Sequence, residues 1–372
     1  MLYHLGERFG ELWGPLRLLR SHSFLLAFGA IAAAAAVFKL LPALWRFLPR
    51  DRGKPKAADG GQQSFGKPTG AGIVFSLVSL PVAVLAAPIG AIDAGLLACL
   101  VAVMLFGYFD DRSRKPWGEL VKGLLDAAVA VAAAVLLYIE TAGPGGVDVW
   151  WPFYKGVTAV PWWAYVPCAA FLLWFSVNAT NCSDGVDGLA GSLTLISLLG
   201  LGAFLYIVTG NAVVARYLLV PSSPLAPRWA ILLMTGAGAL AGYLWYNADP
   251  SRVLMGDAGS RFLGLLVGIG VLVAGNPFLL LVFAPVVLLN GGGGLVKLTL
   301  LRMFRRLAGA SRARAGDTRR PFYERILGKV RFPLHDHCRK KLEWSKGQVL
   351  LRFMLIQAVA SPLLFVILVK IR

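Results

Sequence analysis

The chain has 372 residues, of which 57% are hydrophobic and only 15% charged, and its mean hydropathy is +0.67; this excludes an ordinary water-soluble globule, whose charged share is near a quarter. Lys and Arg number 37 against 19 Asp and Glu, a formal charge of +18. On so apolar a chain that excess speaks first for topology and anionic lipid headgroups, then for holding an anionic substrate, and no nucleic-acid-binding module accompanies it.

About 20 apolar residues cross the hydrocarbon of a bilayer. In chain order, ten runs approach or exceed that length: 24–47, 70–89, 91–108, 123–141, 163–178, 189–209, 228–247, 261–275, 278–301 and 349–370. The expected architecture is an all-α polytopic membrane protein of about ten transmembrane helices, forming a single transmembrane domain over 1–372. The residues before the first run lack the basic, apolar and small-residue order of a signal peptide. No inverted internal repeat of the transporter kind is visible. Cys99, Cys168, Cys182 and Cys338 are scattered without CxxC spacing, so neither a disulfide nor a zinc site is expected.

Basic residues in the connections orient the spans, because they accumulate on the cytoplasmic side. Segment 302–346 carries fourteen basic residues against four acidic, among them Arg305, Arg306, Arg312, Arg314, Arg319, Arg320 and Lys340, and is expected inside. Counting back through ten spans puts 48–69 (Arg50, Arg52, Lys54, Lys56, Lys67) and 109–122 (Arg112, Arg114, Lys115, Lys122) inside as well. The connection 142–162, with Gly143-Pro-Gly-Gly, Trp150-Trp151-Pro152 and Pro161-Trp162-Trp163, falls outside, where aromatic rings settle at the interface. Both termini are then outside, on the periplasmic face. Arg8, Arg17 and Arg20 run against this pattern.

Three polar stretches end apolar runs on the expected cytoplasmic face: Gly107-Tyr-Phe-Asp110-Asp111, Asn178-Ala-Thr-Asn181-Cys-Ser-Asp184-Gly185-Val-Asp187-Gly188 and Met255-Gly256-Asp257-Ala-Gly259-Ser260. Carboxylates so close to hydrocarbon are costly, so they pair with cations, bind a metal or handle substrate. Glycine-flanked carboxylates facing a cytosol of phosphorylated metabolites fit Mg²⁺, which takes oxygen ligands and is held by one or two carboxylates plus substrate phosphates. Phosphoryl transfer is the chemistry favoured. The glycines equally serve close packing of membrane helices. Asp110 and Asp111 point about 100° apart on a helix, so one can ligate or act as base while the other pairs with Lys122 or an arginine. Asp184 and Asp187 share a face if their segment is helical, and Asp257 has the look of the metal ligand.

These stretches, together with Asn247-Ala-Asp-Pro250, Lys67-Pro-Thr-Gly-Ala-Gly72, Phe332-Pro-Leu-His335-Asp336-His337 and Arg352-Phe353, resemble the phospho-N-acetylmuramoyl-pentapeptide transferase (MraY) family of the polyprenyl-phosphate N-acetylhexosamine-1-phosphate transferase superfamily. The likeness covers nearly the whole chain, including ten spans with outside termini. It implies a Mg²⁺-dependent enzyme of the bacterial inner membrane. Such an enzyme moves phospho-MurNAc-pentapeptide from its UDP carrier to undecaprenyl phosphate, releasing UMP and making lipid I for peptidoglycan. It also implies roles for particular positions. Asp257 matches the magnesium ligand; Asp110 and Asp111 match a pair credited with metal contact or with deprotonating the lipid phosphate, a choice left open. Asn178, Asn181, Asp184 and Asp187 match nucleotide-side and catalytic positions, Asn247 a uracil contact, and Lys122 a phosphate-facing lysine. Lys67, Lys115, Arg114, His335 and His337 join them on the substrate side. A homodimer is the assembly the likeness suggests, with no interface legible in the sequence.

Departures from the family pattern are Asp336 in place of the middle of three histidines, Lys297 where the family usually has Gln, and Asn290-Gly-Gly-Gly-Gly294 inside a span. An added cation at Lys297 favours phosphate. The glycine run either kinks the ninth helix or packs it closely. Two other readings compete. A sibling enzyme would move GlcNAc-1-phosphate from UDP-GlcNAc, against which the Pro-Leu-His-Asp-His pattern weighs. A lipid-carrier transporter or flippase would need charges deep in its helices, and these spans are nearly free of them.

Overall fold

Backbone groups in hydrocarbon must find partners within their own segment, so long apolar runs fold as helices. The structure, a computed structural model, describes residues 1–52, 64–113, 115, 117–312 and 330–370. Lys54, Lys56, Arg114, Arg314, Arg319 and Arg320 lie outside the described residues, as do the side chains of Arg305, Arg306 and Arg312. Helices α1 (Leu2–Phe9), α2 (His22–Leu44), α3 (Gly72–Ala86), α4 (Ala91–Arg112) and α5 (Glu119–Thr141) precede a small sheet. After it come α6 (Trp162–Ser183), α7 (Leu189–Phe204), α8 (Ala212–Tyr217), α9 (Ala226–Asn247), α10 (Gly256–Val273), α11 (Leu279–Phe283), α12 (Pro285–Val287), α13 (Gly293–Arg312), α14 (Leu334–Lys341) and α15 (Lys346–Phe365). Among the described residues nine helices are long and apolar enough to cross a membrane. The run expected at 70–89 is the shorter α3, ended by Ala87 in extended conformation. The protein is an all-α polytopic membrane protein. Its outward face carries Ile31, Leu77, Phe171 and Val359, large apolar side chains exposed where hydrocarbon would cover them.

Helix α10 is the axis: every residue from Ala258 to Val273 is buried, and α3, α4, α6 and α7 pack around it. Two of these contacts are backbone to backbone. A Cβ on Gly72 would fall on the backbone of Gly259, and one on Gly107 on the peptide joining Asp257 to Ala258. Just before α10, the chain is strapped to the segment leading into α3 by Leu254 N–H to Pro68 O (2.8 Å), Ala71 N–H to Leu254 O (3.1 Å) and Gly72 N–H to Met255 O (3.0 Å). Gly256 then opens the helix at φ +73°, a conformation that costs glycine least.

The connection 142–162 is a three-stranded antiparallel meander, β1 (Ala142–Gly143), β2 (Gly146–Trp150) and β3 (Val157–Val160). Register pairs Val147 with Val160 and Trp150 with Val157. Trp162 and Trp163 are exposed, as an interfacial role requires, but Trp150 turns inward, fully buried, and its indole N–H donates to Ala274 O at 2.8 Å. The sheet thereby clamps the far end of α10. At that same end Arg228 of α9 pairs with Asp93 of α4 and Glu140 of α5, and Trp229 donates to Asp93.

Both the N-terminus, whose amine donates to Val84 O, and the last turns of α15 lie at this sheet end, away from the acidic motifs. The discordant arginines have a local explanation. Arg17 Nε donates to Gly10 O (3.1 Å), and Arg20 donates to Gly6 O (2.9 Å) and Glu7 O (3.0 Å). They add donors to carbonyls at the end of α1, Gly6 O also accepting the Gly10 N–H, and both pair with Glu11. Their charge is spent on α1.

The glycine run begins in a π-helical turn, Leu288–Gly292, that joins α12 to α13, and its last two glycines open α13. A Cβ on Gly291 would meet Ala179 O, and Gly292 and Gly293 face Phe175 and Phe332. The run therefore serves close packing against α6, and the widened turn re-aims Asn290 inward, where it is fully buried.

Gly72→Ala would ordinarily gain helix propensity of about 1 kcal/mol. Here it lowers stability by about 1–3 kcal/mol through overpacking, read as a lower Tm of the purified protein in detergent. Gly14→Ala, with open space around it, leaves Tm unchanged.

Candidate active site

The polar end of the bundle is built from helix ends. Helix α4 finishes with Asp110 and Asp111, α5 begins near Lys122, α6 finishes beyond Asn181, and α10 begins with Asp257. Lys122 Nζ lies 2.5 Å from Asp110 Oδ2 and 3.2 Å from Asp257 Oδ2. Asn181 donates from Nδ2 to Asp257 Oδ1 and to Ser260 Oγ, both at 3.0 Å. Asp110 also accepts the Trp117 N–H at 2.7 Å. Asp111 faces elsewhere: its oxygens accept the N–H groups of Asp257 (3.1 Å) and Ala258 (3.3 Å). It caps the start of α10, where a negative charge also suits the helix dipole.

Below Asp257 the ladder continues. Arg261, one turn deeper on α10, reaches Asp257 Oδ2 from Nη2 at 3.3 Å and Asp126 from Nη1 at 2.7 and 2.8 Å. Asp126 is one turn deeper than Lys122 on α5, so each helix contributes an i,i+4 pair of opposite charges and the two interlock. Arg261 and Asp126 are 3% and 1% exposed. Neither figured among the expected site residues, because each stands alone in an apolar run. The signal was their four-residue offset from Asp257 and Lys122. The spans expected to be nearly free of charge thus hold this pair at their polar end, and the Asp93–Arg228–Glu140 group at the other.

A second cluster forms around Asp187. Residues 184–188 are a loop, so Asp184, half-buried at the C-cap of α6, and Asp187 do not share a helical face. Asp187 Oδ2 accepts from Lys346 Nζ at 3.0 Å and lies 4.0 Å from Lys67 Nζ. Lys67 donates to Ser251 Oγ at 3.0 Å, and Lys346 also reaches Asp249 at 3.5 Å. Burial would push the Asp187 carboxyl up, but Lys346 and Lys67 outweigh it and hold it below its ordinary value. Its contribution to stability is therefore complete above that value, about pH 4, and is lost as acid protonates the carboxylate. Lys346 was not anticipated. A cation in the first turn of α15 opposes the helix dipole, which was the available hint of a carboxylate partner. Asn247 lies beneath, 5% exposed, its Oδ1 accepting the Gly188 N–H and its Nδ2 donating to Val253 O, both at 2.8 Å. Its amide is engaged within the chain and shapes the loop.

The third group is His335, buried at the start of α14 and held by Asn290 at 2.9 and 3.1 Å. Its ring lies against Gly185, linking it to the same loop. His337 Nδ1 accepts the Arg331 N–H at 3.0 Å, and Lys297 donates to Val330 O at 2.7 Å. Arg352 stacks over Trp344 at 4.2 Å. Lys115 is exposed, while Asn178 donates to Trp174 O of its own helix. All four cysteines are free thiols.

Asp110 and Asp257 present hard oxygen donors to one shared cation, Lys122. Among the described residues no group of three His, Cys, Asp or Glu side chains is arranged to hold a metal ion by itself. That donor set fits a divalent cation completed by phosphate oxygens and water, the manner of Mg²⁺.

Removing one partner of the buried Arg261–Asp126 pair strands the other. Arg261→Leu and Asp126→Leu are each expected to cost about 3–5 kcal/mol, and the double substitution to recover most of that loss, measured by a double-mutant cycle of thermal unfolding in detergent.

Residues 94–275 match the model of glycosyl transferase family 4, a stretch running from α4 to the end of α10. Over 363 residues the chain is 43% identical to the phospho-N-acetylmuramoyl-pentapeptide-transferases of two strains of Treponema pallidum, covering 97% of this chain and 94% of each relative. It is 30% identical over 289 residues to the enzyme of that name from Campylobacter curvus, covering 74% of this chain and 73% of that one. On these matches the chain belongs to the phospho-N-acetylmuramoyl-pentapeptide-transferase family.

Proposed function

We propose that the protein is a phosphoglycosyl transferase of the bacterial inner membrane. It transfers phospho-MurNAc-pentapeptide from UDP-MurNAc-pentapeptide to undecaprenyl phosphate, giving lipid I and UMP for peptidoglycan synthesis, with its active site on the cytoplasmic face and both termini on the periplasmic face. The whole chain works as one catalytic domain. The observation that carries this reading is the convergence of Asp110, Lys122 and Asp257 from three helix ends at the water-facing end of a membrane bundle.

The transfer breaks the pyrophosphate bond to UMP and forms a bond from a lipid phosphate oxygen to the phosphorus bearing the sugar. Both substrates are anionic, so the site must neutralise charge where the phosphates meet. Asp257 and Asp110 would hold Mg²⁺, which would supply positive charge to offset that of the phosphates. Lys122, moored between the same carboxylates, supplies the second positive charge toward phosphate. Arg261 and Asn181 hold the Asp257 carboxylate in its orientation. Asp111 fixes the first turn of α10, which leaves Asp110 as the member of the pair turned toward the chemistry. A lipid phosphate already ionises near neutrality, so positioning and electrostatics carry more than a general base. Lys67 and Lys346 offer ammonium groups on the nucleotide side, with the Asp184–Gly188 loop shaped by Asn247. Lys115, Asn178, Lys297, His335 and His337 line the approach for the sugar and its phosphates. A homodimer is the expected assembly.

Purified protein with Mg²⁺, undecaprenyl phosphate and UDP-MurNAc-pentapeptide is expected to release UMP and form lipid I, with UDP-GlcNAc inert. Asp257→Asn is expected to lower kcat by about 10²–10³. Turnover of UDP-GlcNAc alone would move the protein to the sibling class, and lipid movement across vesicles without UMP release would make it a transporter.

A further inference from the structure

Asn290 was conspicuous in the sequence only as the residue before four glycines, yet the π-helical turn sends it into the protein, fully buried, against His335. Its Oδ1 receives two contacts from that histidine: the backbone N–H at 2.9 Å and ring Nδ1 at 3.1 Å. A backbone N–H can only donate, so the amide atom it meets is the oxygen, and the orientation of the amide is fixed without appeal to its surroundings. The ring nitrogen facing that same oxygen must then donate as well. His335 Nδ1 carries a proton.

The consequence concerns the other nitrogen. With Nδ1 protonated, the ring is either the neutral Nδ1–H tautomer or the imidazolium, and the neutral Nε2–H tautomer is excluded. Nε2 is the position at which the ring gains or loses its proton, and it lies against Gly185, within the loop that carries Asp184 and Asp187. Asn290 also captures a first-turn N–H of α14, so one oxygen fixes both the helix start and the ring. Its own Nδ2 is buried with no hydrogen-bond partner. An unsatisfied buried donor is costly, and a carboxylate would avoid it, but a carboxylate would also favour the imidazolium. The neutral amide pins the tautomer without adding to the bias of Asp336, whose Oδ1 lies 4.0 Å from Nε2.

We propose that Asn290 is a positioning residue that holds His335 with Nδ1 protonated and presents Nε2 as its working nitrogen to the Asp184–Gly188 loop. Its catalytic consequence rests on His335 contacting the nucleotide-sugar donor, whereas the tautomer itself is independent of turnover. The chain has four histidines, so ¹⁵N-histidine spectra of the full-length protein are simple to assign with a His335→Gln variant. Recorded above the ordinary imidazole pKa of about 6.5, the His335 signal is expected to show a protonated Nδ1. Asn290→Asp, which keeps an acceptor in place, is expected to retain it, and Asn290→Leu to lose it together with roughly tenfold in kcat/KM for the donor. A wild-type His335 carrying its proton on Nε2 alone would overturn the proposal. So would an Asn290→Leu protein that keeps the Nδ1–H signal, or one that loses it with kcat/KM unchanged. If no variant or wild-type protein turns over the donor while the Nδ1–H pattern holds, the failure lies with the assigned reaction and the tautomer stands.

Discussion

One carboxylate, Asp257, organises the polar end of this bundle. It stands on the first turn of the buried axial helix, and its two oxygens are shared among Asn181 of α6, Lys122 of α5 and Arg261 of its own helix. An ionised group so near hydrocarbon is tolerable only if each face is met by a partner. Satisfying that requirement brings four helix ends to one place. Asp111 secures the helix that carries Asp257, and Asp126 secures the arginine below it. The alternation of charge through Asp110, Lys122, Asp257, Arg261 and Asp126 leaves the carboxylate stable yet accessible from the water side.

Packing makes that geometry reachable. Gly72 and Gly107 let α3 and α4 meet α10 backbone to backbone, so the Asp111 carboxylate can reach the N–H groups of Asp257 and Ala258. The strap between residues 68–72 and 254–255 ties Lys67 to the same region. At the far end Trp150 and the Asp93–Arg228–Glu140 group anchor the helices against sliding. Function at one end of a membrane bundle thus depends on registration set at both.

Much of this was legible because hydrocarbon imposes simple rules. Nine of the ten apolar runs reappear as helices long enough to cross a membrane, the run at 278–301 only from Pro285 onward, while the run at 70–89 is the shorter α3; the acidic motifs sit at helix ends because charge is excluded from the middle. Hidden from the sequence were residues whose meaning is pairwise. Asp126 and Arg261 vanish in a hydropathy window dominated by Leu, Val and Ala, since each is one charge among many apolar neighbours. Lys346 reads as a loop charge until Asp187 is placed beside it. Asn247 and Asn290 are amides whose partners lie 59 and 45 residues away, and no local spacing announces such bonds. The meander at 142–162 was obscured by Gly and Pro, which mark turns as readily as strand ends. Family likeness supplied roles for Asp110, Asp111 and His335; geometry distinguishes Asp111, bonded to the start of α10, from Asp110, turned to Lys122.

Asp257 and its partners are proposed as the divalent-cation position of this protein. That assignment is tested most directly by the thermal unfolding of purified wild-type and Asp257→Asn protein, with and without Mg²⁺, in the absence of either substrate. A Mg²⁺-dependent rise in Tm is expected for wild type and is expected to disappear in Asp257→Asn. An equal rise in both proteins would place the cation elsewhere and contradict it.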